Sequence, residues 1–130
     1  MDYRTVTQMD GPFLYRLLEE RDAMVNISHK AMPSYAAHIN FILSEPYKEW
    51  KIASRNGVDV GSYYLTHANE IGIFIRNEFQ RKGLGTTIMN DILDKPGRYL
   101  ANISPRNKSS QLFFCNHGFK RVQFTYELEV

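Results

Sequence analysis

A chain of 130 residues with 43% hydrophobic content is long enough to bury the core of one domain and short for two, so a single domain over residues 1–130 is expected. A net charge of +2, with basic residues dispersed, argues against nucleic acid or an anionic membrane surface as partner. The one cysteine, Cys115, excludes an internal disulfide framework and agrees with a reducing compartment. No leader-like pattern stands at the amino end and no apolar run approaches bilayer length, so the expectation is a soluble, cytoplasmic protein with no membrane partner.

Tyr3–Thr7 alternates as a short strand would, and Asp10 followed by Pro12 predicts a helix start. Phe13, Leu14, Leu17, Leu18, Arg21 and Met24 then recur at near-helical spacing. A second helix is predicted from Ser34, with Tyr35, His38, Ile39 and Ile42 on one face and Pro46 closing it. Strands over Glu49–Arg55 and Val58–Thr66 flank Asn56-Gly57, the strongest short-range hairpin signal, and the loop His67-Ala68-Asn69 leads to a third strand, Glu70–Arg76. Leu84, Ile88, Met89, Ile92 and Leu93 form a helical stripe ended by Lys95-Pro96-Gly97. A strand over Arg98–Ile103, parallel to Glu70–Arg76, comes next. The last helix is predicted over Arg106–Asn116, with Gly118 near its C-cap, and a final strand over Phe119–Glu129.

Between the third strand and the helix that follows lies Gln80-Arg81-Lys82-Gly83-Leu84-Gly85-Thr86. Two glycines at a strand-to-helix junction let the backbone approach a ligand and aim several N–H groups and the positive helix end at one anion. The P-loop ending Gly-Lys-Ser/Thr is absent, and the dinucleotide fingerprint lacks its third glycine, since position 88 is Ile.

The segment resembles the acyl-CoA loop of the GNAT superfamily of N-acetyltransferases, Gln/Arg-x-x-Gly-x-Gly/Ala, matched by Gln80, Gly83 and Gly85. A second segment is similar to that family's Asn-x-x-Ala/Ser-x-x-x-Tyr-x-x-x-Gly-Phe pattern, through Asn107, Ser110, Phe114, Gly118 and Phe119. The element order agrees from about Tyr3 onward. The resemblance implies an α/β (α+β) GNAT fold: a mixed, mostly antiparallel sheet, splayed at the acyl-CoA site and flanked by about four helices. It also implies acetyl-CoA as co-substrate and direct transfer of the acetyl group to a primary amine on a small-molecule or peptide acceptor.

The same resemblance implies a site. Ile73, Phe74 and Ile75 offer backbone groups to the pantetheine arm, with a backbone N–H near Phe74 or Ile75, assigned to Phe74, as oxyanion donor. Arg81, Lys82, Gly83, Leu84, Gly85 and Thr86 face the pyrophosphate. An aliphatic amine arrives protonated, with a pKa of roughly 10.4, and needs a base; Glu70 fills that role in the resemblance, or is a surface charge at a strand end. Gly72 marks either a close backbone approach or a glycine packed beneath an aromatic ring. Asn107 touches the cofactor arm or caps the last helix. Phe114 stands where many GNAT enzymes place a tyrosine that protonates the leaving thiolate; Tyr63, Tyr64 and Tyr126 are the substitutes considered. Asn102 faces the acyl group or ends its strand.

His29, His38, His67 and His117 lack zinc-type spacing, so no metal site is expected. His38 and Tyr35 are read either as core residues or as contacts to the acceptor. The short tail after Gly118 predicts that one wall of the acceptor groove is low or comes from a second subunit through the last strand's edge, making a homodimer possible. The second functional reading is a CoA-binding module with little catalysis, acting as a sensor or assembly partner.

Overall fold

The computed structural model describes residues 1–21 and 32–130, and Met24 and His29 lie outside them. Strand β1 (Asp2–Thr5) is followed by a 3₁₀ turn (Gln8–Asp10), helix α1 (Gly11–Glu20) and helix α2 (Tyr35–Leu43). Strands β2 (Glu49–Arg55), β3 (Val58–Leu65) and β4 (Ile71–Ile75), helix α3 (Leu84–Leu93) and helix α4 (Lys108–Asn116) complete the described elements.

The four strands form one antiparallel sheet in the order β1-β2-β3-β4. Its register is set at the hairpin, where Asn56 and Gly57 both take positive φ, 53° and 78°, and Arg55 pairs with Val58. Two successive left-handed residues match the twist of the flanking strands. A bulge between Ala53 and Ser54 then adjusts the β2–β3 register.

The helix starts follow local chemistry. Thr7 accepts from the Met9 N–H (3.3 Å) while the Asp10 carboxylate accepts from the Thr7 N–H (3.0 Å), a reciprocal cap. Ser34 accepts from the Ala37 N–H at 3.1 Å and begins α2 as expected.

Each face of the sheet carries its own core. Leu14, Leu17 and Ile42 of α1 and α2 pack on Ile52, with Trp50 and Phe74 beside them. On the opposite face Leu84, Ile88, Met89 and Ile92 of α3 and Phe114 of α4 pack on Ala53, Val60, Tyr63, Leu65 and Ile71. Ile52, Ile88 and Met89 are completely enclosed.

Two sequence expectations are corrected. The strand over Arg98–Ile103 reduces to one parallel bridge between Glu70 and Leu100; beyond it the Asn102 side chain donates to the Glu70 carboxylate, a side-chain bond where a further backbone rung was expected. The final strand over Phe119–Glu129 is not formed, and residues 120 to 130 are exposed. An alternating apolar pattern favours a strand only where an edge exists to pair with, and the single bridge leaves no ladder at Arg98–Ile103 to receive it. A groove wall shared through that strand therefore has no strand to rest on among the described residues.

Candidate active site

Hydrogen bonding along β4 decides which of its backbone groups are free. Thr66 N–H donates to the Glu70 carbonyl (3.0 Å) and Arg76 N–H to the Val60 carbonyl (2.9 Å). In an antiparallel pair these directions alternate, so the backbone groups of residues 72 and 74 also turn toward β3, against Tyr64 and Ser62. The groups of residues 71, 73 and 75 turn the other way. Ile71 N–H uses that direction to reach the Leu100 carbonyl at 2.8 Å, after which the bridge ends. The N–H groups of Ile73 and Ile75 meet no acceptor among the described residues. The donor assigned to Phe74 thus belongs to the β3 ladder, and its neighbours Ile73 and Ile75 hold the open edge.

From that edge the chain passes through a 3₁₀ turn (Asn77–Phe79) into the glycine loop. Gln80 donates to the Ile75 carbonyl (3.1 Å) and to Asn77 Oδ1 (3.2 Å), bracing the loop against the strand end. Arg81 (φ 62°) and Gly83 (φ 76°) are both left-handed, a conformation that costs a non-glycine residue about 1–2 kcal/mol. Gly83 is the N-cap of α3 and offers no side chain to its first turn. The N–H groups of residues 81 to 86 therefore donate to nothing described, a concave row of donors at a helix N-terminus. Arg81, Lys82 and Thr86 are exposed around it, and the Thr86 hydroxyl lies 3.4 Å from His117 Nε2.

Asn107 caps α4: its Oδ1 accepts from the Ser110 N–H (3.0 Å) and its amide donates to the Ser110 hydroxyl (2.9 Å). Both side chains are committed to each other. Phe114 is buried in the α3–α4 core, edge-on to Phe113 and Phe119.

Glu70 sits at the entry of β4, where Thr66 Oγ1 donates to its Oε1 at 3.0 Å and Asn102 Nδ2 to its Oε2. Asn102 thus orients the carboxylate. Strand alternation places Glu70, Gly72 and Phe74 on the face that carries α1 and α2.

On that face lies a cavity of about 450 Å³, bounded among others by Leu17, Arg21, His38, Trp50, Tyr64 and Phe74. Tyr64 lies flat against Tyr47, centroids 4.1 Å apart at 4°. The Arg21 guanidinium carbon lies 3.4 Å above the centre of the Phe74 ring. Burial lowers the Arg21 pKa, opposed by the nearby Tyr64 and Tyr47 phenols. Burial also raises the Tyr47 and Tyr64 phenols, against a lowering contribution from Arg21. His38 is 4% exposed, and burial lowers its pKa against a raising contribution from the Gly11 backbone. Its Nε2 and the Ser62 hydroxyl are buried without a described hydrogen-bond partner.

Of the residues read as acceptor contacts, His38 borders this cavity, whereas Tyr35 is exposed and packs edge-on to Tyr15. Of the tyrosines considered in place of Phe114, only Tyr64 borders it; Tyr63 belongs to the opposite core and Tyr126 is 90% exposed. Arg21, Tyr47 and Trp50 were not singled out from sequence. For Arg21 the signal was present: an arginine at an apolar position of the first helix. Among the described residues no group of three or more His, Cys, Asp or Glu side chains is placed to hold a metal ion.

The architecture is matched by solved structures. A domain from Methanocaldococcus jannaschii superposes with a TM-score of 0.80 at 21% identity, covering 97% of this chain and 92% of its own. An acetyltransferase from Thermus thermophilus gives 0.75 at 20%, with 94% and 88% covered. A putative acetyltransferase from Salmonella typhimurium, solved with its cofactor acetyl-CoA, gives 0.69 at 15%, with 92% and 79% covered. The fold is that of the GNAT acetyltransferases. No protein-family model matches the sequence, and no curated protein does. Within the GNAT fold, the open β4 edge and the glycine loop lie at one end of the sheet, and the aromatic cavity lies on the α1–α2 face beside it. No described helix is long and apolar enough to cross a membrane.

Proposed function

We propose that the protein is an acetyl-CoA-dependent N-acetyltransferase acting on a primary amine in the cytoplasm. The observation that carries this reading is a pair of donor sets with no acceptor among the described residues, the Ile73 and Ile75 N–H groups and the N–H row of residues 81 to 86, joined by the turn Asn77–Phe79. An extended pantetheine arm fits the first as an added strand, and a pyrophosphate fits the second. Bound acetyl-CoA would supply an activated thioester. Arg81 and Lys82 add positive charge beside the phosphates, and the Ile73 or Ile75 N–H donates to the thioester oxygen as charge develops there. Glu70, oriented by Thr66 and Asn102, takes the proton of the incoming ammonium directly or through water. The departing thiol has an ordinary pKa of about 8.5 and needs little help from an acid, so a phenylalanine at position 114 is compatible with turnover.

The test is release of free CoA thiol from acetyl-CoA in the presence of a panel of primary amines. Amine-dependent release supports transfer. Tight CoA binding without release with any amine favours the second reading, a CoA-binding module, for which the burial of Phe114 in place of a hydroxyl speaks.

A further inference from the structure

The aromatic cavity on the α1–α2 face contains a cation, Arg21, with which no carboxylate among the described residues pairs. Arg21 follows α1 at the wall of a cavity bounded mostly by aromatic and aliphatic side chains, with Ser62 and His38 as its other polar lining residues. None of the ion pairs among the described residues involves it, and the carboxylate just before it in sequence, Glu20, is committed to Arg76 at 3.2 Å. A charge withdrawn from water is ordinarily paired. Its described neighbours are instead the Phe74 face and the Tyr47 and Tyr64 phenols. Stacking of this kind fixes the guanidinium plane while leaving its N–H edge available, the arrangement that accepts a planar anion through two parallel hydrogen bonds.

The remaining walls define the body of the ligand. Tyr47 and Tyr64 form a flat stack, and Trp50 and Phe41 stand edge-on to Tyr47 and to each other. Such surfaces accept a ring or another flat apolar group. Glu70 lies on the same face of β4 as Phe74 and four residues before it, roughly 13 Å along a strand. The groups that would receive the amine and the anion are thus held apart.

We propose that the acceptor is a small amine with a flat apolar body and a carboxylate at the end away from the amine, the carboxylate held by Arg21. This rests on the acetyltransferase reading and specifies its acceptor.

The test uses 4-(aminomethyl)benzoate and its neutral isostere 4-(aminomethyl)benzamide. Trp50 is the only tryptophan in the chain and borders the cavity, so its fluorescence reports occupancy without turnover. The benzoate is expected to bind wild-type protein roughly tenfold to hundredfold more tightly than the benzamide, as charge-assisted hydrogen bonds imply. Arg21→Gln should bring the two affinities together, and Arg21→Lys, which keeps charge but loses the planar fork, should recover only part of the difference. Acetyl-CoA affinity is measured on the same variants and should not change. Equal affinities in the wild type overturn the proposal, as does a preference that survives Arg21→Gln or a loss confined to acetyl-CoA binding. A preference through Arg21 without CoA release in the thiol assay sustains the carboxylate site and removes transfer, so the two failures are distinct.

Discussion

The Tyr64 ring occupies the space where a side chain at Gly72 would be: a Cβ there would fall 2.2 Å from Tyr64 Cε2 and 2.3 Å from Cζ. The glycine is therefore required by the aromatic ring that crosses β4, one of the two readings the sequence left open. Gly72→Ala should displace Tyr64 and break its stack on Tyr47. Overpacking of this kind costs about 1–3 kcal/mol. Thermal melting should register that loss, and acceptor affinity should fall while acetyl-CoA affinity holds. A variant as stable as the parent would mean that the ring is free to move aside.

Glu70→Gln keeps the shape of the side chain and removes its basicity. Turnover should fall by about 10²–10⁴-fold, the usual range for a positioned base, with acetyl-CoA affinity unchanged by calorimetry. Full turnover in this variant would show that Glu70 takes no part in proton removal.

Gly83→Ala places a side chain at φ 76° and should cost about 1–2 kcal/mol locally. Because Gly83 caps the helix whose N–H groups face the proposed pyrophosphate, acetyl-CoA affinity should weaken more than acceptor affinity. Unchanged acetyl-CoA binding would falsify the loop as the phosphate site.

His38 gives the fold a pH dependence of defined sign. Burial lowers its pKa below the ordinary value of 6.5, so in mildly acid solution the unfolded chain binds a proton that the folded chain does not. Stability contributed by the neutral ring is present above that value and is lost as pH falls below it toward the lower, folded pKa. Melting temperatures between about pH 7 and 5 should decline less steeply in His38→Gln than in the parent, 6.5 being the unperturbed reference. Parallel curves would assign the decline to other groups.

The parts of this fold read from sequence are those set by local chemistry. Asn56-Gly57 dictates its hairpin whatever surrounds it, Ser34 caps its helix, and Gly83 marks the left-handed turn before α3. The parts missed depend on partners remote in sequence. Phe119–Glu129 has the alternation of a strand, but whether it becomes one depends on an edge that Arg98–Ile103 does not present. Which residues of β4 face outward depends on hydrogen bonds at Thr66 and Val60, so the motif left the donor open between Phe74 and Ile75. Only the pairing with β3 turns the choice from Phe74 to Ile73 and Ile75, whose N–H groups meet no acceptor among the described residues. Arg21 was read only as a member of a helical stripe; its placement on Phe74 joins residues 53 positions apart.

Glu20, the last residue of α1, accepts from the Arg76 guanidinium and, at 2.9 Å, from the Asn77 N–H. Arg76 and Asn77 join the end of β4 to the turn before the glycine loop, while α1 supplies one wall of the aromatic cavity. The two halves of the site are therefore clamped to a common strut. A shift of α1 to admit a bulkier ligand to the cavity would drag the glycine loop out of register, so under the proposed function a change of acceptor is channelled into exchanging side chains along the cavity wall and away from moving the helix that bears them.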